Sequence, residues 1–311
     1  MTAADVDLPA PASDLQDQLV DWYEIHKRSF PWRETTDPFA ILVMEVMSQQ
    51  TQLSRVEEAW TAFLDRWPDI HSLAATRVDV VIAFWSSHRL GYNRRARYLH
   101  EAAVQIVEAW DGEIPEDPAS LEELPGVGPY TANAVASFAF NAGGAVVDTN
   151  VKRVVHRLLA MDTADEPPTH GAVADVLLPP GRSRTWNNAI MELGATVCTA
   201  DPNCEECPWQ DSCRAYDTGD FRAPDVPTQA AFAGSRRQYR GRIVRALTSG
   251  EPVALDTLGR TVRVDYDPAG EFGRDWLCGV VNDLADDGLV ELEENDVGTT
   301  IVRLASSGYD S

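Results

Sequence analysis

Apolar residues recur along most of the chain at helical spacing, and only a stretch near the C-terminal end alternates as strands do. From 14 to 26, Leu15, Leu19, Val20, Trp22 and Tyr23 mark one face of an amphipathic helix. The run 38–51 opens on Pro38, which suits a first helical turn, and is apolar nearly all round, which predicts a buried helix. Helical patterns follow over 53–67, 78–85 and 94–110, with Leu90-Gly91-Tyr92-Asn93 breaking the last two apart. A short helix over 121–124, a glycine turn and a second helix continuing to about 140 make a helix–hairpin–helix unit. Further helices are predicted over 151–161, 171–178 and 185–197. Beyond a Pro/Ala/Gly-rich linker at 218–235, helices over 236–248 and 276–286 precede strands over 289–292 and 300–304. The pattern predicts an all-α protein with a small α/β, winged-helix-like C-terminal domain.

Charge complicates that picture. The 311 residues carry 26 Lys and Arg against 49 Asp and Glu, a formal net charge of −23. Nucleic-acid binders usually show the opposite balance. Lysine occurs only at Lys27 and Lys152, and acids are spread over the whole chain. Such surfaces resemble those of salt-accumulating halophiles, where high like charge keeps a protein soluble in screening salt. The acidity is therefore read as a property of the solvent. With no leader-like or membrane-spanning apolar run, the protein is expected to be cytoplasmic, with residues 1–12 disordered.

Candidate chemistry sits at four places. In Leu124-Pro125-Gly126-Val127-Gly128-Pro129-Tyr130-Thr131-Ala132, unhindered backbone N–H groups lead into a helix, where a phosphate can approach closely; a purely steric glycine turn is the alternative. Glu45 lies among Ile41, Leu42, Met44, Val46 and Met47, so its charged form should be desolvated and its pKa raised, as a general acid requires, unless it pairs with a buried arginine. Asp148 precedes a helix, where a depressed pKa is expected, or only a cap. Two carboxyls with pKa values pushed apart can hydrolyse a glycosidic bond if the fold brings them to one cleft. Cys198, Cys204, Cys207 and Cys213, spaced x5, x2 and x5, read as a metal site, and zinc or an iron–sulfur cluster would each satisfy them. Cys278, the fifth cysteine, reads as a core residue. Arg94, Arg95, Arg97, Lys152, Arg153 and Arg157 are candidates for phosphate contacts.

Taken together, Phe30-Pro31-Trp32-Arg33, the segment from Glu45 to Thr51, the hairpin, Val147-Asp148-x-Asn150-Val151-Lys152-Arg153-Val154 and the cysteine loop resemble MutY-type adenine DNA glycosylases of the helix-hairpin-helix superfamily. The match runs over about residues 15–215 in the family's order. It implies a six-helix barrel over 35–140 and an iron–sulfur domain from 13–34 and 141–217, with the winged-helix-like domain at 236–311. It also implies that Glu45 protonates an extruded adenine and that Asp148 stabilises or traps the sugar cation, assisted by Tyr130 and Asn150. DNA would be met by Gln49, Gln50, Thr51, Tyr92, Arg94, Gly126, Val127, Gly128 and Lys152, with Gln50 and Tyr92 as wedges. Trp32 and Arg33 would line the base pocket, and the four clustered cysteines would hold a 4Fe–4S cluster. The implied partner is duplex DNA bearing adenine opposite guanine or 8-oxoguanine, bound by a monomer. Endonuclease III-like enzymes carry a Lys at the hairpin position of Tyr130 and use its amine to cut the strand; its absence here implies a monofunctional enzyme.

Departures from the family set the alternatives. The first cysteine gap is x5 rather than x6, Thr149 stands where a Gly is frequent, and residues 236–311 are too short for the Nudix-like domain that reads 8-oxoguanine. Asp283, Asp286, Asp287, Glu291, Glu293, Glu294 and Asp296 would repel phosphates, which favours a protein-contact or packing role for that segment. A thymine or uracil mismatch glycosylase is the enzymatic alternative, and a non-catalytic DNA-binding or regulatory protein the other.

Overall fold

A computed structural model describes residues 6–163, 168–224, 231–296 and 298–306. Part of the N-terminal stretch expected to be disordered (1–5), part of the linker (225–230) and Val297 of the terminal turn lie outside them. The described helices are α1 (Ala12–His26), α2 (Pro38–Ser48), α3 (Leu53–Arg66), α4 (Ile70–Ala74), α5 (Val78–Ser87), α6 (Arg94–Trp110), α7 (Pro118–Glu122), α8 (Pro129–Phe140), α9 (Thr149–Leu159), α10 (His170–Leu177), α11 (Ser183–Thr196) and α12 (Arg214–Thr218). After them come α13 (Arg236–Ala246), β1 (Val253–Ala254), α14 (Leu255–Val262), α15 (Arg274–Asp286), β2 (Val290–Glu294) and β3 (Thr300–Leu304). Among the described residues no helix is long and apolar enough to cross a membrane.

The chain divides into two compact units. The first comprises residues 1–42, 115–123 and 127–228. Its core joins α1, α9, α10 and α11 through Leu15, Leu19, Val155, Leu158, Val173, Trp186 and Leu193, closed by Trp209 from the cysteine loop. The indole N–H of Trp209 donates to the Leu15 carbonyl at 2.8 Å, so the loop is tied to α1 by a polar as well as an apolar contact. The second unit comprises residues 43–114, 124–126 and 229–311. Its helices α3, α5 and α6 bury Phe63, Ile82, Trp85 and Leu99.

The terminal segment folds in the order helix, strand, helix, helix, hairpin, as a winged helix does. β3 lies between β1 and β2 and pairs antiparallel with both, in the registers Val253↔Val302 and Leu292↔Val302. Sequence periodicity did not resolve β1 and α14. β1 is only Val253 and Ala254, and α14 follows it without a break. The short α4 also went unpredicted; its signal is the reciprocal cap between Asp69 and Ser72.

Candidate active site

In the first unit, Asp148 caps α9. Its carboxylate accepts from the Val151 N–H at 2.7 Å and from Asn150 Nδ2 at 3.0 Å. The helix start alone should depress its pKa. Burial is the larger effect, and the carboxyl sits above its ordinary value in spite of those bonds and the nearby Arg153 charge. The depressed pKa expected from sequence is thereby corrected: the Val151 N–H and the Asn150 amide donate to the carboxylate, but the surrounding protein removes more hydration than these bonds replace. A carboxylate so placed is poised to receive a positive charge.

Arg153 extends this group. It donates to Asn150 Oδ1 at 2.9 Å, to the Gly194 carbonyl at 2.7 Å and to the Cys198 carbonyl at 2.7 Å. A continuous bonded path therefore links the first cysteine to Asp148 through Arg153 and Asn150. Gly194 permits the approach, since a Cβ there would stand 2.8 Å from Asn150 Cβ. Arg157 also turns inward, to the Thr199 carbonyl at 2.6 Å and Cys198 Sγ at 3.6 Å. Arg153 and Arg157 are thus committed to main-chain carbonyls rather than phosphates, whereas Lys152 on the same helix is exposed.

Cys198, Cys204, Cys207 and Cys213 line one small cavity, together with apolar Val197, Pro202 and Phe221. Burial raises the thiol pKa values of Cys204 and Cys213, and pushes Cys207 up to about 12. Thiolates there need compensating positive charge. Among the described residues no three Cys, His, Asp or Glu side chains gather tightly enough for a single metal ion. Four sulfurs around one cavity are a donor set that zinc or an iron–sulfur cluster would each accept.

Glu192 was not singled out by the sequence. It is fully buried on α11 and accepts from Arg33 Nη2 at 2.6 Å and from Arg28 Nε at 2.6 Å. Burial pushes its pKa up, but the bonds from Arg28 and Arg33 outweigh it, so the carboxyl stays below its ordinary range. Arg33 is held by this pair, and Trp32 beside it is buried and stacked on Phe30 with centroids 4.9 Å apart. The missed signal was the one used for Glu45: a Glu between apolar neighbours, here Ile190 and Leu193.

In the second unit, Glu45 is 3% exposed, in a helix whose Leu42, Val43, Val46 and Met47 are all buried. The carbonyls at the end of α2 have no helical partners. Arg95, buried at the start of α6, supplies the donors. Its Nη1 donates to the carbonyls of Val46 at 2.7 Å, Met47 at 3.1 Å and Gln49 at 2.6 Å. Nη2 donates to Thr51 Oγ1 at 3.1 Å and to the Leu90 and Gly91 carbonyls at 2.9 and 3.3 Å. Arg95 is thus a C-terminal cap for the Glu45 helix and a brace for the loop carrying Tyr92, not a phosphate contact. The braced segments are strained: Gln50, Arg89 and Tyr92 hold φ of 54°, 55° and 45°. Gln50 is exposed, while Gln49 and Thr51 are half-buried. Arg94 pairs with Asp287 at 3.0 Å, and Arg97 pairs with Glu101 at 2.7 Å and donates to the Asp287 carbonyl at 2.7 Å.

The hairpin glycines differ in what they permit. Gly126 has φ of +74°, and a Cβ there would stand 2.7 Å from Tyr98 Cβ, so both conformation and space demand glycine. Gly128 caps α8 in extended backbone, and a Cβ there would meet nothing within 4 Å. Val127 is buried between them and Tyr130 is half-buried on the first turn of α8.

Comparison with known proteins bears on this constellation. Residues 43–177 match the model of the HhH-GPD superfamily base excision DNA repair proteins. The chain is 43% identical over 235 residues to an adenine DNA glycosylase of Mycolicibacterium smegmatis, covering 74% of this chain and 79% of that protein. To the human adenine DNA glycosylase it is 39% identical over 221 residues, 66% of this chain and 40% of that one. Among solved structures, a thermostable thymine-DNA glycosylase superposes with a TM-score of 0.61 at 27% identity, covering 67% of this chain and 97% of that chain. An endonuclease III bound to DNA shares the fold, with a TM-score of 0.56 at 24% identity over 68% of this chain and 98% of that chain.

Proposed function

Since the chain belongs to the adenine DNA glycosylases of the HhH-GPD superfamily of base excision DNA repair proteins, we propose that it removes adenine paired with guanine or 8-oxoguanine from duplex DNA. The target nucleotide would be turned out of the stack before its N-glycosidic bond is hydrolysed. The observation that carries the reading is Glu45, a 3% exposed carboxyl inside the segment that matches the superfamily. In the proposed reaction Glu45 gives a proton to a ring nitrogen of adenine. The bond to the sugar breaks, its electron pair leaves with the base, and water completes the hydrolysis. Asp148, held by Val151 and Asn150, would balance the oxocarbenium charge, with Tyr130 of the hairpin assisting. A phenol forms no Schiff base, so the reaction should stop at base release.

Cys198, Cys204, Cys207 and Cys213 would hold a 4Fe–4S cluster, which suits an all-sulfur donor set around one cavity. When bound, such a cluster supplies the positive charge that buried thiolates require and fixes the loop 198–213. Arg153 would then carry that order to Asn150 and Asp148. Gln50 and the hairpin N–H groups are read as strand contacts, and the acidity as an adaptation to a salty cytoplasm in which the protein acts as a monomer.

Single-turnover base release at molar salt tests the reading, on duplexes placing adenine opposite guanine, 8-oxoguanine, cytosine or thymine. E45Q should slow adenine release by about 10²–10⁴-fold and leave duplex affinity within a few-fold. Unchanged release by E45Q would refute the acid role, and efficient strand cutting without alkali would refute the monofunctional one. The likeness to a thymine-DNA glycosylase makes a thymine–guanine duplex the control: preferential release of thymine would replace the adenine reading.

A further inference from the structure

Two arginines of the second unit stand beside the Gln50 segment without acidic partners. The chain carries 49 acidic residues against 26 basic ones, and exposed arginines such as Arg77, Arg222 and Arg274 are met by Asp79, Asp220 and Asp256. Arg55 and Arg89 are exposed too. Among the described residues neither guanidinium meets a carboxylate: Arg55 Nη1 donates to the Arg89 carbonyl at 3.3 Å, and the Arg89 side chain has no hydrogen-bond partner.

Local structure disfavours both residues where they stand. Arg89 ends α5: its N–H donates to the Ser86 carbonyl at 3.1 Å, and the Leu90 N–H to the Trp85 carbonyl at 3.4 Å. A helix stop of this kind puts its turning residue in left-handed backbone and favours glycine, yet Arg89 holds φ of 55° there. Arginine has no short polar side chain to bond its own backbone in that conformation, as Asn or Asp does. Arg55 stands in the first turn of α3, which contains no acid and where the helix dipole disfavours a cation. Each residue therefore costs the fold stability at its own position. Strain held at an exposed residue that bonds nothing in the protein points outward, to a ligand.

The backbone that carries the pair is braced. Arg95 ties Gln49, Thr51, Leu90 and Gly91 together, Thr51 Oγ1 lies 3.2 Å from the Leu90 carbonyl, and the Trp85 indole N–H donates to the Gly91 carbonyl at 2.8 Å. A guanidinium on such a platform presents paired N–H groups in the geometry of two phosphate oxygens.

We propose that Arg55 and Arg89 form a phosphate-binding pair that holds the DNA backbone beside the Gln50 segment. The inference rests on the glycosylase reading, which supplies duplex DNA as the ligand. Contacts of this kind fix where the duplex sits rather than which base is read, so they act alike on any sequence.

Duplex affinity over a series of salt concentrations tests it, on a fully paired duplex and on one carrying a non-hydrolysable adenosine analogue opposite 8-oxoguanine. R55Q and R89G should each weaken binding to both duplexes alike, by about fivefold, and reduce the salt slope by about one. R89G should melt no lower than wild type, because glycine suits φ of 55°, so its lost affinity cannot come from unfolding. R89K should keep the slope, since the charge remains. R66Q removes the same charge from the far end of α3, roughly 16 Å along the helix, and should leave the slope unchanged. A wild-type slope in either R55Q or R89G, or an equal fall in R66Q, would overturn the proposal. R89G melting well below wild type would overturn it as well, by removing the strain on which the site rests. The two readings fail separately: if the wild type releases no adenine but R55Q and R89G flatten the slope, the adenine reading falls and the phosphate site stands. If the wild type releases adenine and the slopes do not move, only the present proposal falls.

Discussion

Arg95 offers the sharpest test of how the second unit organises its functional loops. Removing its side chain gives back a desolvation cost. Burial lowers the guanidinium pKa from 12.5 to about 10, a shift of 2.5 that corresponds to about 3 kcal/mol. Against this, Arg95→Met strands the buried carbonyls of Val46 and Met47, and leaves Thr51, with one hydroxyl hydrogen, to serve only one of the Gln49 and Leu90 carbonyls. A buried acceptor left without a donor costs about 1–3 kcal/mol, so three of them total about 6 kcal/mol and the variant loses about 3 kcal/mol net. For a unit of this kind that is a fall in melting temperature of about 10 °C by calorimetry. The strained backbone at Gln50, Arg89 and Tyr92 should relax as well, so adenine release should drop further than the unfolded fraction explains. Arg95→Lys keeps the charge but cannot span both loops, and should rescue stability only in part. A variant Arg95→Met that melts within about 2 °C of wild type and releases adenine at the same rate would refute the bracing role.

Arg153→Gln should slow base release at least about tenfold with little change in duplex affinity, because Asn150 and Asp148 lose their brace; an unchanged single-turnover rate would sever that path. Glu192 makes stability pH-dependent on the acid side. Its folded pKa lies below the ordinary value of 4.5, so its contribution is complete above that pH and is lost as pH falls through the folded pKa. Glu192→Gln should lower stability at neutral pH and flatten the melting temperature against pH below 4.5, and a parallel acid limb would count against the pairing. With Arg95, Arg153 and Arg157 turned inward, wild-type duplex affinity should fall with salt at a log–log slope shallower than about −4; a steep slope would show many more phosphate contacts than this surface supplies.

The helical core was legible because burial in a helix leaves a period. The spacing over 94–110 predicts α6 to the residue, and α3, α9 and α11 shift by only a residue or two at their ends. Glu45 and the cysteine loop could be found because their residue types violate their surroundings. Other features follow from contacts between distant positions. Nothing local separates Arg95 from its neighbours Arg94 and Arg97, since the Val46, Met47 and Gln49 carbonyls it caps lie 49, 48 and 46 positions away. Glu192 acquires meaning only when Arg28 and Arg33 reach it across 164 and 159 positions. The Asp148 pKa was misjudged for a related reason: the cap is written in the sequence, whereas the burial that outweighs it is assembled from the whole unit.

The same distinction resolves the conflict between an acidic chain and a nucleic-acid substrate. Net charge counts every arginine as a cation facing solvent, yet several of these arginines are internal fasteners. Arg95 closes the Glu45 helix, Arg153 and Arg157 hold the cysteine loop to α9, and Arg184 binds the Phe138 and Ala139 carbonyls at the end of α8. A guanidinium used this way stays charged, but salt in the solvent screens it far less than it screens an exposed one. Lysine cannot substitute, since its single ammonium reaches fewer acceptors in less fixed directions. Under the proposed salty cytoplasm, near-absence of lysine and retention of arginine would fit one explanation: exposed cations add little to binding in concentrated salt, while buried guanidiniums keep their hydrogen bonds. Recognition would then rest on groups whose contribution salt does not erase, namely the hairpin N–H groups, the exposed ring of Tyr92 and the desolvated carboxyl of Glu45.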